Sequence, residues 1–118
     1  PWLPLNTNAE TVNVQAALAA SDGVLEHYKR LIALRHELEV VQLGRFELLL
    51  ADDPKLWVFT RTLSSETVLV VANMSSEACG VPVDELPRLG EAELLLGGSG
   101  GDIQTLDPWE ARVYELSA

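Results

Sequence analysis

Apolar residues change their spacing along this chain. Residues Pro1–Ala20 hold two prolines and three asparagines and show no sustained period, which predicts an irregular connector. From Ser21 the pattern becomes helical, with Val24, Leu25, Tyr28, Leu31, Ile32 and Arg35 recurring three and four residues apart. Ser21 or Asp22 is expected to cap this helix, and Glu26 and Arg30 to pair across one turn. Lys29, Arg30, Arg35 and His36 suit its negative end.

After about Glu39 the period shortens and β-formers take over. Strands are predicted at Leu43–Leu50 and Leu56–Leu63, with Asp52-Asp53-Pro54 as the turn between them. Thr67–Met74 is a nearly unbroken apolar run, the pattern of a central strand covered on both faces. Shorter strands follow near Cys79–Val83, Glu91–Leu96 and Ile103–Leu106, and Trp109–Leu116 is the last. Gly97–Gly101 reads as a flexible hairpin loop. In the closing strand Arg112, Tyr114 and Leu116 are expected on the face opposite Ala111 and Val113. About seven short strands behind one α-helix predict a mainly β fold, an antiparallel sandwich of Greek-key type.

Charge narrows the partners. Eighteen acidic against eight basic residues give a net charge of −10, which repels phosphate backbones and anionic headgroups, so nucleic acid and membrane are excluded as partners. The basic residues are scattered rather than gathered into a patch. Cys79 is the lone cysteine, so no intrachain disulfide forms; this suits a reducing, cytoplasmic setting and predicts a small buried apolar side chain. No apolar run reaches the roughly 20 residues that span a bilayer. The chain starts at Pro1 rather than Met, which predicts that it is part of a longer protein.

Several ordered segments carry a family resemblance. Pro1-Trp2-Leu3-Pro4-Leu5-Asn6-Thr7-Asn8, followed by Val12-Asn13-Val14, resembles the Pro-Trp-x-x-Val-Asn-x-Asn-Tyr…Ile-Asn-Val segment of α-glucosidases and oligo-1,6-glucosidases, with Ala9 at the usual tyrosine. The stretch Tyr28-Lys29-Arg30-Leu31-Ile32-Ala33-Leu34-Arg35 is similar to the Tyr-x-x-Leu-Ile-x-Leu-Arg core of the last barrel helix in the same enzymes. Gly44–Leu49, Asp53–Arg61, Leu69–Ser75 and Leu106–Ala111 follow in the family's order.

The resemblance implies the C-terminal region of an α-glucosidase of the α-amylase superfamily. Residues 1–39 would be the end of its catalytic (β/α)8 barrel, connector plus final helix, and residues 40–118 its C-terminal all-β sandwich domain. The catalytic Asp nucleophile, Glu acid/base and stabilising Asp of such retaining enzymes sit at the ends of barrel strands earlier than Pro1. None of their motifs matches here, so no catalytic residue is assigned. The implied role is a non-catalytic domain that stabilises and shields the barrel of an enzyme cleaving terminal α-1,4 or α-1,6 glucosidic bonds. Its partner is that barrel, and the oligosaccharide substrate is met through the parent alone. The alternative is a stand-alone carbohydrate-binding or interaction module.

The remaining chemistry points to turns and core. Asp52-Asp53 and Asp84-Glu85 are adjacent carboxylate pairs, expected in a hairpin turn and a loop. His27 and His36 stand nine residues apart with no ligand at helical spacing, so no metal or cofactor site is predicted. No serine lies in a nucleophile elbow, and no helix follows Gly97–Gly101 to hold phosphate. Trp57 alternates with Phe59 opposite Leu56 and Val58, so both faces of that strand are expected to be covered, one by the sandwich and one by the barrel. Trp109 is expected to plug the end of the core. Without its barrel, the stripe of Val24, Leu25, Tyr28, Leu31 and Ile32 is expected to drive self-association, the alternative being that the helix folds back on the outer sheet face through Leu34 and Leu38.

Overall fold

The computed structural model describes residues 2–87, 92–98 and 103–116. Its contacts separate into two compact units, Pro1–Glu37 and Leu38–Ala118.

The first unit is helical. Helix α1, Val14–Ala19, lies inside the segment read as irregular. At six residues it is too short for a period to register, but it is rich in alanine and its N-cap is well made. Asn13 Oδ1 accepts the Ala16 amide at 2.8 Å, while Asn13 Nδ2 donates to the carbonyls of Ala9 and Glu10. Helix α2, Val24–Glu37, matches the predicted period. Its first intrahelical carbonyl belongs to Gly23, which accepts the His27 amide at 3.0 Å, so the cap expected of Ser21 or Asp22 falls to a residue without a side chain. Glu26 and Arg30 do pair, at 3.7 Å. Val24, Tyr28, Leu31 and Ile32 stay exposed.

The second unit is the antiparallel sandwich. One sheet has the order β1-β2-β3-β7-β5, built from β1 Arg45–Leu49, β2 Leu56–Leu63, β3 Glu66–Asn73, β5 Ala92–Leu96 and β7 Ala111–Leu116. The other pairs β4 Cys79–Gly80 with β6 Thr105–Leu106. Local hairpins set the first three strands: residues 50–55 join β1 to β2, and Ser64, at φ 54, opens the two-residue Ser64–Ser65 turn between β2 and β3. After β3 the chain crosses to the small sheet, and β7 returns between β3 and β5. The two strands that the Gly97–Gly101 hairpin was expected to join do not pair with each other among the described residues. β5 pairs with β7 and β6 with β4, so Gly97 and Gly98 lead out of the larger sheet rather than into a hairpin with β6. Residues 99–101 of that loop, and the expected start of β5 at residue 91, lie outside the described residues. Gly97, at φ +90, is required there, because a Cβ would stand 2.0 Å from the Ala111 carbonyl oxygen.

The core fills the space between the sheets. Leu56 and Val58 of β2, Leu69 and Val71 of β3, and Tyr114 and Leu116 of β7 pack with Val81, Leu86 and Leu106 from the opposite layer. Val71 has no exposed surface, as its unbroken apolar run predicts. Cys79 is only partly buried against this core.

Ahead of the first strand stand three helices rather than one. Helix α3, Glu39–Leu43, occupies residues whose Val40-Val41 pair favours a strand. Packing reverses the local preference: α3 lies over β2 and β3 and buries Val40 almost completely. The Arg61 guanidinium donates from Nη2 to the carbonyls of Gly44 at 2.9 Å and Gln42 at 3.4 Å, satisfying groups that a helix end leaves open. Gly44 permits the close turn into β1, since a Cβ there would meet the Val40 carbonyl oxygen at 2.3 Å.

Candidate functional site

The carboxylates singled out by sequence are used in turns or left in solvent. Asp53 Oδ1 accepts the amides of Lys55 at 2.9 Å and Leu56 at 2.8 Å, fixing the turn into β2, and Asp52 is exposed beside it. Asp84 and Glu85 are exposed on a single 3-10 turn, Val83–Glu85. His27 and His36 both lie on α2, and nine residues at about 100° each set them on opposite sides of the helix. Burial, and next the nearby Asp53 carboxylate, push the Cys79 thiol above its ordinary range, which keeps it protonated and unreactive.

What stands out is the sheet face turned away from the core. The register lines up Leu48, Phe59, Val70 and Val113 across four strands, with Phe46 opposite Arg61 and Trp57 opposite Ala72. Rings gather there. Phe59 lies 5.1 Å from Phe46 and 5.1 Å from Trp57, centroid to centroid and tilted in both cases. Helix α3 lies over β2 and β3, where Val68 is buried, but the rest of this face is open: Phe46 and Leu48 on the edge strand β1 are 49% and 46% exposed, and Trp57, at the end away from Val68, is 48% exposed. A strand face this apolar, with adjacent large side chains half in water, is the signature of an interface. Between its covered and open parts, the Nε of Arg61 is buried with no hydrogen-bond partner among the described residues.

The tryptophans divide. Trp57 follows the expected alternation, yet nothing in its own unit covers its outer side fully. Trp109 does not plug the core. It is 66% exposed at φ 59 in the turn before β7, where its amide donates to the Ser75 carbonyl. The end of the core is closed instead by polar groups that sequence reading did not identify. Arg112, 3% exposed, donates from Nε to Glu110 Oε1 at 2.7 Å and from Nη1 to the Tyr114 hydroxyl at 3.4 Å. Glu110 Oε2 accepts the Asp107 amide. Burial pushes the Glu110 carboxyl up, but the Arg112 hydrogen bond, the Asp107 amide and the Arg112 charge outweigh it and hold the pKa below its ordinary value. Nearby, the buried Asn73 ties the β3 end to both flanking loops, donating to the carbonyls of Glu77 at 2.7 Å and Asp107 at 3.0 Å.

This architecture is that of an all-β C-terminal domain, and residues 46–101 match the family model of the maltogenic amylase C-terminal domain. The chain is 38% identical to an oligo-1,6-glucosidase of Parageobacillus thermoglucosidasius, over 98% of this chain and 22% of that enzyme. The crystal structure of Bacillus licheniformis trehalose-6-phosphate hydrolase superimposes with a TM-score of 0.84 at 28% identity, covering 100% of this chain and 22% of that one. The trehalulose synthase of Pseudomonas mesoacidophila does so with a TM-score of 0.80 at 26% identity, covering 98% of this chain and 22% of that one. The chain belongs to the C-terminal regions of α-glucosidases of the α-amylase superfamily. It spans about a fifth of the length of the relatives it matches.

Proposed function

We propose that this chain is the non-catalytic C-terminal part of a retaining, cytoplasmic α-glucosidase that hydrolyses terminal α-1,4 or α-1,6 glucosidic bonds in oligosaccharides. In this reading residues 1–39 complete the enzyme's (β/α)8 barrel, and residues 40–118 stabilise and shield it. The observation that carries the reading is the open half of the outer sheet face. Phe46, Leu48 and Trp57 form an apolar surface of the kind that packs against a larger body, and the relatives possess nearly four-fifths of a chain beyond the matched region. An acceptor from that body would also satisfy the buried Arg61 Nε.

The exposed rings of Trp57 and Trp109 favour one competing reading, a stand-alone carbohydrate-binding module that stacks sugars on them. A saturable change in tryptophan fluorescence on titration with maltose would support it. For the main reading, the chain is expected to show no turnover of an aryl α-glucoside, because its adjacent carboxylates are turn formers or solvated. Turnover that co-purifies with the chain and disappears in Asp52→Asn or Asp53→Asn would overturn it.

A further inference from the structure

Two exposed surfaces of this chain complement one another in polarity and charge. The first is the outer face of the large sheet. Its register sets Phe46, Arg61, Val68, Glu115 and Glu93 in one row across the five strands, with Leu48, Phe59, Val70 and Val113 in the next. Glu93 and Glu115 stand directly opposite one another, so one corner of an apolar face carries two carboxylates that repel, and a cation set between them relieves both. Arg61, in the same row, is committed to the carbonyls of Gly44 and Gln42.

The second surface is on α2. At about 100° per residue, Val24, Tyr28, Leu31, Ile32 and Arg35 share an arc of about 100°, with Lys29 at its margin, while Glu26 and Glu37 fall on the opposite side. Val24, Tyr28 and Ile32 are more than half exposed. The stripe is therefore apolar and cationic, where the sheet face is apolar and anionic.

Charge and length select the occupant. Laid against the stripe of another α2, Arg35 and Lys29 meet no acid, because Glu26 and Glu37 lie behind; laid on the sheet face, they meet Glu93 and Glu115. The 14 residues of α2 make a rod about 21 Å long, and five strands span about 19 Å. Only Leu38 stands between α2 and α3, whereas a helix reversing onto its neighbour takes a loop of roughly two to five residues, so the helix that covers this face belongs to a second copy.

We propose that two copies of the chain pair by exchange. The α2 of one lies on the outer sheet face of the other, its apolar stripe over Phe59, Val70 and Val113 and its Lys29 and Arg35 against Glu93 and Glu115, and a two-fold axis repeats the contact in reverse. Each apolar surface is then covered twice in the dimer. The pairing rests on these two surfaces and not on the α-glucosidase reading. The test is sedimentation of the chain at low ionic strength, where surface charge is least screened. Wild type should associate at high micromolar concentration. Glu93→Lys with Glu115→Lys places cations beneath α2 and should weaken association about tenfold, and Lys29→Glu with Arg35→Glu places acids over the carboxylates and should do the same. Circular dichroism and melting of each variant are expected to match wild type. Mixed in equal amounts, the two variants regain both contacts with the signs exchanged on one of them, so association should return to within about threefold of wild type. A wild type that stays monomeric would overturn the proposal. So would association insensitive to Glu93→Lys with Glu115→Lys, the result expected if two α2 stripes meet each other, or a mixture that associates no better than either variant alone. Any of these leaves the domain reading standing, since that reading is judged by the enzyme assay and by the parent gene.

Discussion

Leu48→Lys separates an interface from a core. Leu48 sits on the edge strand β1, opposite Phe59, and is 46% exposed. Complete burial of a leucine is worth ~1.5–3 kcal/mol, so the half already buried contributes about 1 kcal/mol. A lysine recovers part of this by laying its methylenes over Phe59 with its ammonium in water, so this chain should lose no more than ~1 kcal/mol. The parent enzyme should respond differently. If the outer face is covered there, the ammonium is buried without a partner and the loss rises to several kcal/mol. The assay is chemical denaturation of both proteins, wild type and variant, at neutral pH. Equal losses in chain and parent would show that the face meets nothing in the enzyme, and a loss of several kcal/mol in the chain alone would mean that Leu48 is core.

Other substitutions probe the remaining features. Val71→Asp places an unpaired carboxylate in a fully buried site, at a cost of several kcal/mol against a total stability of ~5–15 kcal/mol, and should abolish the cooperative melting transition. Glu110→Gln tests the buried pair with Arg112. Because the folded Glu110 pKa lies below its ordinary 4.5, the pair contributes stability present above that pH and lost as pH falls through the folded value. The variant should therefore be less stable by about 1–3 kcal/mol at pH 7, and the gap should narrow in acid, as denaturation across pH will show. The exposed stripe of α2 should make wild type self-associate at high micromolar concentration, and Leu31→Glu with Ile32→Lys should return it to a monomer in sedimentation. A wild type that stays monomeric there would show that the stripe is not adhesive.

Sequence patterns carried the fold as far as local chemistry extends. β2 runs over Leu56–Leu63 as predicted, and β3 lies within one residue of its predicted bounds, because apolar runs framed by turn residues leave little choice. α3 was not legible: its helical state depends on Val40 meeting the sheet and on an arginine 19 residues from Gln42. The pairing of β5 with β7 rather than β6 is likewise a long-range choice that a glycine-rich spacer does not encode. The outer face was half visible, since Trp57 and Phe59 alternate against Leu56 and Val58, but its convergence with Phe46 and Leu48 depends on register. Arg112 was placed on the correct face of β7, but its burial depends on Glu110 and Tyr114 folding around it.

Reading the coding sequence immediately upstream of Pro1 will show whether this chain is the C-terminal part of an α-glucosidase. An open frame is expected there, continuing into alternating strands and helices of a (β/α)8 barrel with an Asp nucleophile and a Glu acid/base at the C-terminal ends of its strands. A start codon adjoining Pro1, or an upstream domain of another fold, would contradict it.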